Sequence, residues 1–327
     1  MLIVGDIGGT KTLLALFKRG DDPRKPTAVK EYRSAAFASL AAMARAFLAE
    51  TGEPATVGCF DVAGPVVEGR AHTTNLPWTM DEAELARDLG LKRVRLMNDL
   101  EAIAAAVPFL TSGDLVTLNA GEPEPQGAIA VIAPGTGLGE AFLVWSGGQY
   151  VACPSEGGHS SYAPVNAQQT ELLFYLRGKF GEVSAERACS GMAVGDLYDF
   201  LQASSAHKEI PAFAAELEKV RDRTPLIAEA GVHERAANPL AAATMDLFVD
   251  NLAAEAGNLA LKALSTGGVF LAGGMPLYVL PLLQAGSFME TFAAKGRLSA
   301  VLKRMPVHVV TAQAPLLGAT LRGMALL

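Results

Sequence analysis

An apolar run that ends in an acid, turns on glycines and returns as a second apolar run constrains this chain more than any other stretch. It comes at once: Leu2-Ile3-Val4-Gly5-Asp6, then Ile7-Gly8-Gly9-Thr10-Lys11-Thr12, then Leu13-Leu14-Ala15-Leu16-Phe17. Two apolar runs about a Gly-Gly turn predict a β-hairpin. The glycines allow positive φ and let a ligand come close to the backbone N–H groups. Thr10 and Lys11 add a hydroxyl and an ammonium, both donors to phosphate oxygens. Asp6, at the end of a buried strand, is placed to hold Mg²⁺ or its waters. Alone, the stretch reads equally well as an ordinary hairpin with an incidental acid.

The second half of the chain starts over. Residues 128–133 predict a buried strand, Pro134-Gly135-Thr136-Gly137-Leu138-Gly139 a turn, and residues 141–145 another strand. A third apolar strand, 267–271, runs into Ala272-Gly273-Gly274. Three Gly-rich turns, each directly after an apolar strand, point to a nucleotide. Two hairpins can hold its phosphates from two sides, and the third can let the nucleoside lie flat on bare backbone.

Between these turns, strands alternate with helices. Residues 29–33 predict a strand, and Leu40, Met43, Phe47 and Leu48 recur at helical spacing until Gly52. Residues 57–62 predict a buried strand turned by Ala63-Gly64-Pro65, and residues 81–89 a helix opened by Thr79 with Glu82 in a capping box. A further strand over 94–97 ends at Asn98-Asp99, ahead of a helix over 101–107. Met245, Phe248, Leu252, Ala256 and Leu259 put one face of a long helix, 241–264, in the core. The polar segment 203–238 is expected as peripheral helices. Such alternation implies an α/β fold with largely parallel sheet centres, where ligands collect at the carboxyl ends of strands. Asp6 and Asn98-Asp99 both stand at such ends.

Composition narrows the function. The 327 residues carry a net charge of −7 with a pI near 5.4, and no basic block stands out, against nucleic acid as a main partner. Residues 1–6 lack the charged start and long apolar core of a signal peptide. Gly273, Gly274, Pro276 and Pro281 break the apolar stretch 269–283, a poor membrane span. Cys59, Cys153 and Cys189, odd in number and far apart, form no disulfide framework. A cytoplasmic location follows. The long apolar helix and late strands suit a homodimer as well as a plain core.

Moving a phosphoryl group to an alcohol needs in-line alignment, charge neutralisation and an acceptor for the hydroxyl proton. A carboxylate such as Asp99 at a strand end suits the last role, although an acid there also suits a helix N-cap. Ser155-Glu156-Gly157-Gly158-His159 joins a carboxylate and an imidazole on one turn, a supply of acceptors and donors for sugar hydroxyls. Glu186, before the Gly191 turn, is by itself an ordinary solvated acid. His72, His207, His233 and His308 have no catalytic company.

Taken together, these motifs resemble the bacterial glucokinase family, the ATP-dependent group of the hexokinase/actin-like superfamily. The resemblance runs through Gly5-Asp6-Ile7-Gly8-Gly9-Thr10, Thr74-Asn75-Leu76-Pro77-Trp78, Asn98-Asp99-Leu100-Glu101-Ala102, Gly135-Thr136-Gly137-Leu138-Gly139, Glu156-Gly157-Gly158-His159, Ala185-Glu186-Arg187 and Leu271-Ala272-Gly273-Gly274. It ends at Pro315-Leu316-Leu317-Gly318-Ala319, so it covers nearly the whole chain in order. It implies a two-domain actin-like ATPase (ribonuclease H-like) α/β fold with a cleft between the domains. The smaller domain is expected over 1–109 plus 300–327 and the larger over 110–299. The implied reaction is transfer of the ATP γ-phosphoryl group to the 6-hydroxyl of D-glucose, with Mg²⁺ bridging phosphate oxygens. Asp99 is the implied general base, and Asn98, Glu156, His159 and Glu186 the implied sugar ligands. Gly5, Asp6, Ile7, Gly8, Gly9 and Thr10, with Gly135 and Thr136, would hold the phosphates, Gly273 and Gly274 the adenosine, and Asp6 the metal.

Lys11, Pro134 and Ser155 depart from that family's usual residues. Gly-Gly-Thr-Lys is also the form found in the ROK sugar kinases and repressors, but the zinc-binding Cys-x-Cys-Gly cluster of that group has no counterpart at Cys153 or Cys189. Alternatives that keep the same pocket are a ROK-like kinase of another hexose and a non-catalytic sugar-sensing regulator. Against the DNA-binding version of a regulator, the sequence opens directly on the phosphate hairpin, with no helix-turn-helix before it.

Overall fold

The computed structural model describes residues 1–73, 76–204 and 207–327. Thr74 and Asn75 of the 74–78 motif therefore lie outside the described residues. The chain divides into two compact units, Met1–Leu110 with Ala312–Leu327, and Thr111–Thr311.

The first unit opens with the expected hairpin, β1 (Leu2–Ile7) and β2 (Lys11–Phe17), which pair antiparallel with Asp6 opposite Leu13. Strand β3 (Ala28–Arg33) extends it. Helix α1 (Leu40–Thr51) starts where the Ser39 hydroxyl accepts from the Ala42 N–H, and stops at Gly52, whose φ of 68° is the left-handed cap. Strand β4 (Val57–Val62) then pairs parallel to β1. A small antiparallel sheet follows, β5 (Val66–Val67), β6 (Arg70–His72) and β7 (Thr79–Asp81).

Helix α2 (Glu82–Leu89) is capped by Asp81, not Thr79. The Asp81 carboxylate accepts from the N–H groups of Ala83 and Glu84. Glu82, expected in the capping box, accepts from the Leu96 N–H instead and ties the helix to β8 (Arg93–Asn98). Helix α3 is Asp99–Ala106, two residues earlier than the spacing predicts, because Asn98 caps it. Among the described residues the main sheet of this unit runs β3-β2-β1-β4-β8.

The second unit contains β9 (Leu115–Asn119), β10 (Ile129–Pro134), β11 (Leu138–Ser146) and β12 (Gln149–Ser155). Helices α4 (Ala167–Phe180), α5 (Ala193–Ala203), α6 (Pro211–Leu217), α7 (Thr224–His233) and the long α8 (Pro239–Ala263) follow. The chain re-enters the sheet as β13 (Gly268–Leu271) and passes through α9 (Gly274–Tyr278), α10 (Leu280–Gln284), α11 (Ser287–Ala293) and α12 (Ser299–Arg304). It completes the sheet as β14 (Val307–Val310). The order is β12-β11-β10-β13-β14-β9.

The first five positions of that order repeat the first unit: three antiparallel strands, then two parallel ones, with the glycine turn joining the third position to the second in each. One layout, built twice, explains why the sequence starts over. Residues 300–311, expected with the first unit, belong to the second, because β14 pairs with β13 and β9. Segment 203–238 is not wholly peripheral. Ile227, Ala228, Ala230 and Val232 of α7 are buried in the same core as Met245, Phe248 and Leu252 of α8.

The last helix, α13 (Ala314–Met324), returns to the first unit and packs on α3, β1 and β4. There Leu2, Val4, Phe17, Cys59 and Met97 form an apolar layer closed by Ala102 and Ala319. Among the described residues, no helix is long and apolar enough to cross a membrane.

Candidate active site

In the first unit, the parallel strands β1, β4 and β8 end together. Asp6 is level with Asp61, and Val62 with Asn98. The first glycine turn leaves β1 at this edge and is held in shape from β3. The Ser34 hydroxyl donates to the Gly8 carbonyl at 2.8 Å and pairs with the Thr12 hydroxyl at 3.0 Å. The Ser34 N–H donates to the Thr10 carbonyl at 3.0 Å. A Cβ on Gly8 would stand 2.7 Å from the Lys11 carbonyl oxygen, so the turn closes only on glycine. Gly8, Gly9 and Thr10 are accessible.

Not every residue of that motif faces a ligand. Gly5 is buried, and a Cβ there would press on Leu14 and Phe60 at 2.8 and 2.9 Å. Ile7 is 1% exposed in the core. Both serve packing. Lys11, expected as a phosphate donor, pairs on the surface with Glu31 at 2.8 Å.

Asn98 and Asp99 divide two roles that the sequence left open for Asp99. The Asn98 side-chain carbonyl accepts from the Leu100 N–H at 2.9 Å, and its amide donates to the Gly64 carbonyl at 2.9 Å. Asn98 thus caps α3 and ties β8 to the turn after β4. Asp99 is the first helical residue, with one oxygen near the Leu100 N–H at 2.9 Å. With Asn98 as the cap, the Asp99 carboxylate lies half-buried at the strand edge. Burial pushes its pKa up, the Leu100 N–H acting against.

Asp61 completes a group of acids that the sequence reading passed over. It is fully buried, and neither carboxyl oxygen has a hydrogen-bonding partner from a protein donor. Its carboxyl lies within hydrogen-bonding reach of Asp6. Two carboxyls can bond only when one carries a proton. Burial, then the charges of Asp6 and Asp99, hold Asp61 well above the usual carboxylate range. Burial also raises Asp6, to about 6, with the bond to Asp61 opposing. An Asp inside an apolar six-residue strand, Val57–Val62, was the available signal.

Among the described residues, no three His, Cys, Asp or Glu side chains converge to hold a metal by themselves. Mg²⁺ commonly keeps one or two carboxylates and takes its remaining oxygens from phosphate and water. The hard oxygens of Asp6, beside the buried Asp61 and under the charge of Asp99, fit such an ion.

In the second unit, three segments meet at Leu138, the first residue of β11. The Leu138 N–H donates to Glu186 at 2.9 Å, and a Cβ on Gly137 would stand 2.3 Å from that same carboxylate. Glu186 is therefore bound to the second glycine turn and is not simply solvated. On the other side, a Cβ on Gly158 would lie 2.1 Å from the Leu138 carbonyl oxygen. The 156–159 turn thus packs straight onto the strand. Within it, the His159 N–H donates to the Glu156 carbonyl at 3.0 Å and the Gly157 N–H to the Ser155 hydroxyl at 2.9 Å. The Ala185 N–H donates to the Ser160 carbonyl at 2.8 Å, fixing the Glu186 segment beside the turn. Glu156 and His159 are exposed. The structure therefore gathers Glu156, His159 and Glu186 around one strand start.

The second glycine turn also borders a cavity of about 680 Å³, within the usual range for small-molecule sites. Gly135, Thr136 and Gly274 line it, with Met275 and Tyr278 of α9 and Ala228 of α7. Gly273, just before α9, packs on the strand end: its φ is 87°, and a Cβ would meet the Pro134 carbonyl oxygen at 3.1 Å. The Gly191 and Met192 N–H groups donate to the Gly135 and Thr136 carbonyls at 2.8 and 3.1 Å. Arg223 fixes the start of α7 by donating twice to Asp199 at 2.8 Å. The α7 wall was missed because its polar flanks mask a short apolar face.

The Glucokinase family profile matches residues 3–325. Glucokinases of Trichormus variabilis and Nostoc sp. are 39% and 38% identical to the chain, each over 98% of both sequences. The crystal structure of a glucokinase from an Antarctic psychrotroph superposes with a TM-score of 0.83 at 32% identity, over 97% of each chain. With the doubled sheet layout and the glycine turns in place, the chain belongs to the glucokinase family.

Proposed function

We propose that this protein transfers the γ-phosphoryl group of ATP to the 6-hydroxyl of D-glucose. The observation that carries the reading is the capping of α3 by Asn98, which leaves the Asp99 carboxylate available at the strand edge that also bears the first glycine turn. Asp99 takes the proton of the 6-hydroxyl. A carboxyl raised by burial is a stronger base than one in water, which favours that transfer. Asn98, Glu156, His159 and Glu186 supply acceptors and donors to the sugar hydroxyls.

The backbone and hydroxyl groups of Gly8, Gly9 and Thr10, with Gly135 and Thr136, bind phosphate oxygens. The cavity beside Gly274 takes the adenosine, with Gly273 setting the turn that leads into it. Asp6 would hold Mg²⁺, directly or through water, and the ion would neutralise charge on the phosphates. The free thiols Cys59, Cys153 and Cys189 suit a reducing, cytoplasmic setting.

The test is a coupled assay with ATP, Mg²⁺ and a panel of hexoses, reading ADP and sugar phosphate together. Glucose-dependent ADP release matched by glucose 6-phosphate supports the proposal. ATP turnover without sugar phosphate replaces it with an ATPase. Faster turnover of another hexose moves the substrate assignment.

A further inference from the structure

Beneath the 156–159 turn lies a second pair of buried acids, far from Asp99 in sequence and with no part in the chemistry above. Glu140, on β11, is 1% exposed, and Glu255, on α8, is 4% exposed. The Glu140 backbone pairs with Ser155, at the entrance to the turn. One carboxyl oxygen of Glu140 presses against Gly157, where a Cβ would stand only 2.1 Å away. The other is buried without a hydrogen-bonding partner from a protein donor.

Glu255 is held firmly by its own contacts. It accepts from the Asn258 amide at 3.0 Å and from Lys262 at 3.2 Å. Asn258 is in turn fixed by the Lys295 ammonium at 2.6 Å, which also donates to the Ala254 carbonyl at 2.9 Å. The Glu140 carboxyl lies within hydrogen-bonding reach of Glu255. That contact is attractive only while one of the two carries a proton. Ionised together, they would be two like charges in a poorly solvated interior. Glu255 is anchored, so Glu140 would move, and the backbone it touches is Gly157.

We propose that Glu140 is a positioning residue: it holds a proton facing Glu255, this proton keeps the 156–159 turn in its sugar-binding shape, and its loss loosens the turn. This rests on the reading of Glu156 and His159 as sugar ligands. The charges facing the pair are those of Lys262 and Lys295, which favour ionisation, and the buried Cys189 thiol lies near both acids and near Glu186. Burial first, then the charge of Glu255, lifts Glu140 to about 7, so the switch falls in the neutral range.

The experiment compares the full-length protein with E140Q, whose amide can donate to Glu255 at every pH. Hydrogen-exchange protection of residues 157–160 is measured without sugar at pH 6 and 8.5, and glucose affinity by calorimetry at both. In the wild type, protection falls at the higher pH and the glucose Kd rises by up to about tenfold, the weight of one unit of linked pKa. In E140Q both stay flat. If E140Q does not fold, E255Q carries the same test, since its amide can donate to Glu140. A wild-type exchange profile that does not change, or a variant that follows the wild type, overturns the proposal. Failure of glucose to bind at pH 6 would instead overturn the sugar assignment, and it is read separately from exchange in the sugar-free protein.

Discussion

Asp99 and Asn98 differ by one atom type in the side chain, yet the fold gives them different work. Asn98 satisfies the helix terminus and reaches Gly64, whereas Asp99 keeps a carboxylate raised by burial. Asp99→Asn should lower kcat by about 10²–10⁴-fold, the usual weight of a lost general base. Calorimetry should still detect glucose binding, and a near-normal kcat would remove Asp99 from the role. Asn98→Ala should act differently, costing about 1 kcal/mol of stability through the lost cap, as read by urea denaturation.

Glu140 makes a prediction of its own. Its folded pKa, about 7, lies above the ordinary value of 4.5, so between those values the folded state binds more protons than the unfolded one. Stability from this group is therefore complete below about pH 4.5 and is lost as pH rises through 7, by on the order of 3 kcal/mol. Asp6, raised from 3.8 to about 6, acts in the same direction at lower pH. Urea midpoints at pH 5.5, 7 and 8.5 should fall with pH more steeply in the wild type than in E140Q. Equal slopes would show that Glu140 is not held protonated. Asp6 and Asp99 could be named from their places at strand ends, but Asp61, Glu140 and Glu255 were passed over, because an acid inside an apolar run looks like an exposed position until its neighbours are known.

At the level of elements, local signals read well and long-range ones did not. The hairpin of β1 and β2, the Gly52 stop and the long α8 follow from turn chemistry and helical spacing that lie within a few residues. Where the reading shifted, a competing short-range bond had won: Asp81 caps α2 in place of Thr79, and Asn98 starts α3 two residues early. The 156–159 turn could be singled out from Glu156 and His159, but its seat on Leu138 depends on a strand joined only in three dimensions. Packing of α13 on α3 is similarly non-local. It turns on Gly318, where a Cβ would lie 1.8 Å from the Ala102 carbonyl oxygen. Alanine in place of an ordinary helix glycine gains about 1 kcal/mol of helix propensity. Here the clash is backbone against backbone, so the helices must part, and overpacking costs about 1–3 kcal/mol or more. Gly318→Ala should therefore be destabilised in urea; a more stable variant would mean that α13 does not pack this closely.

Across the whole molecule, the repeated strand order shows why two similar glycine turns occur in one chain, yet the two halves are not equally self-sufficient. The second unit is one continuous segment, Thr111–Thr311, with its own large core. The first is discontinuous and takes its last layer from α13, at the far end of the sequence. Without that helix, Leu2, Val4, Phe17 and Cys59 lose their cover. Burying one large apolar side chain is worth about 1.5–3 kcal/mol, and a domain's whole stability is about 5–15 kcal/mol. Uncovering this layer removes a large part of that margin. A chain ending at residue 311 should thus lose hydrogen-exchange protection throughout β1, β4 and β8 while keeping it in α8 and β10. Protection retained in β1 and β4 would show that the five-stranded sheet and α1 are enough, and that the C-terminal helix only lines a finished core. Simultaneous loss in both units would show instead that they fold as one cooperative body, despite separate cores.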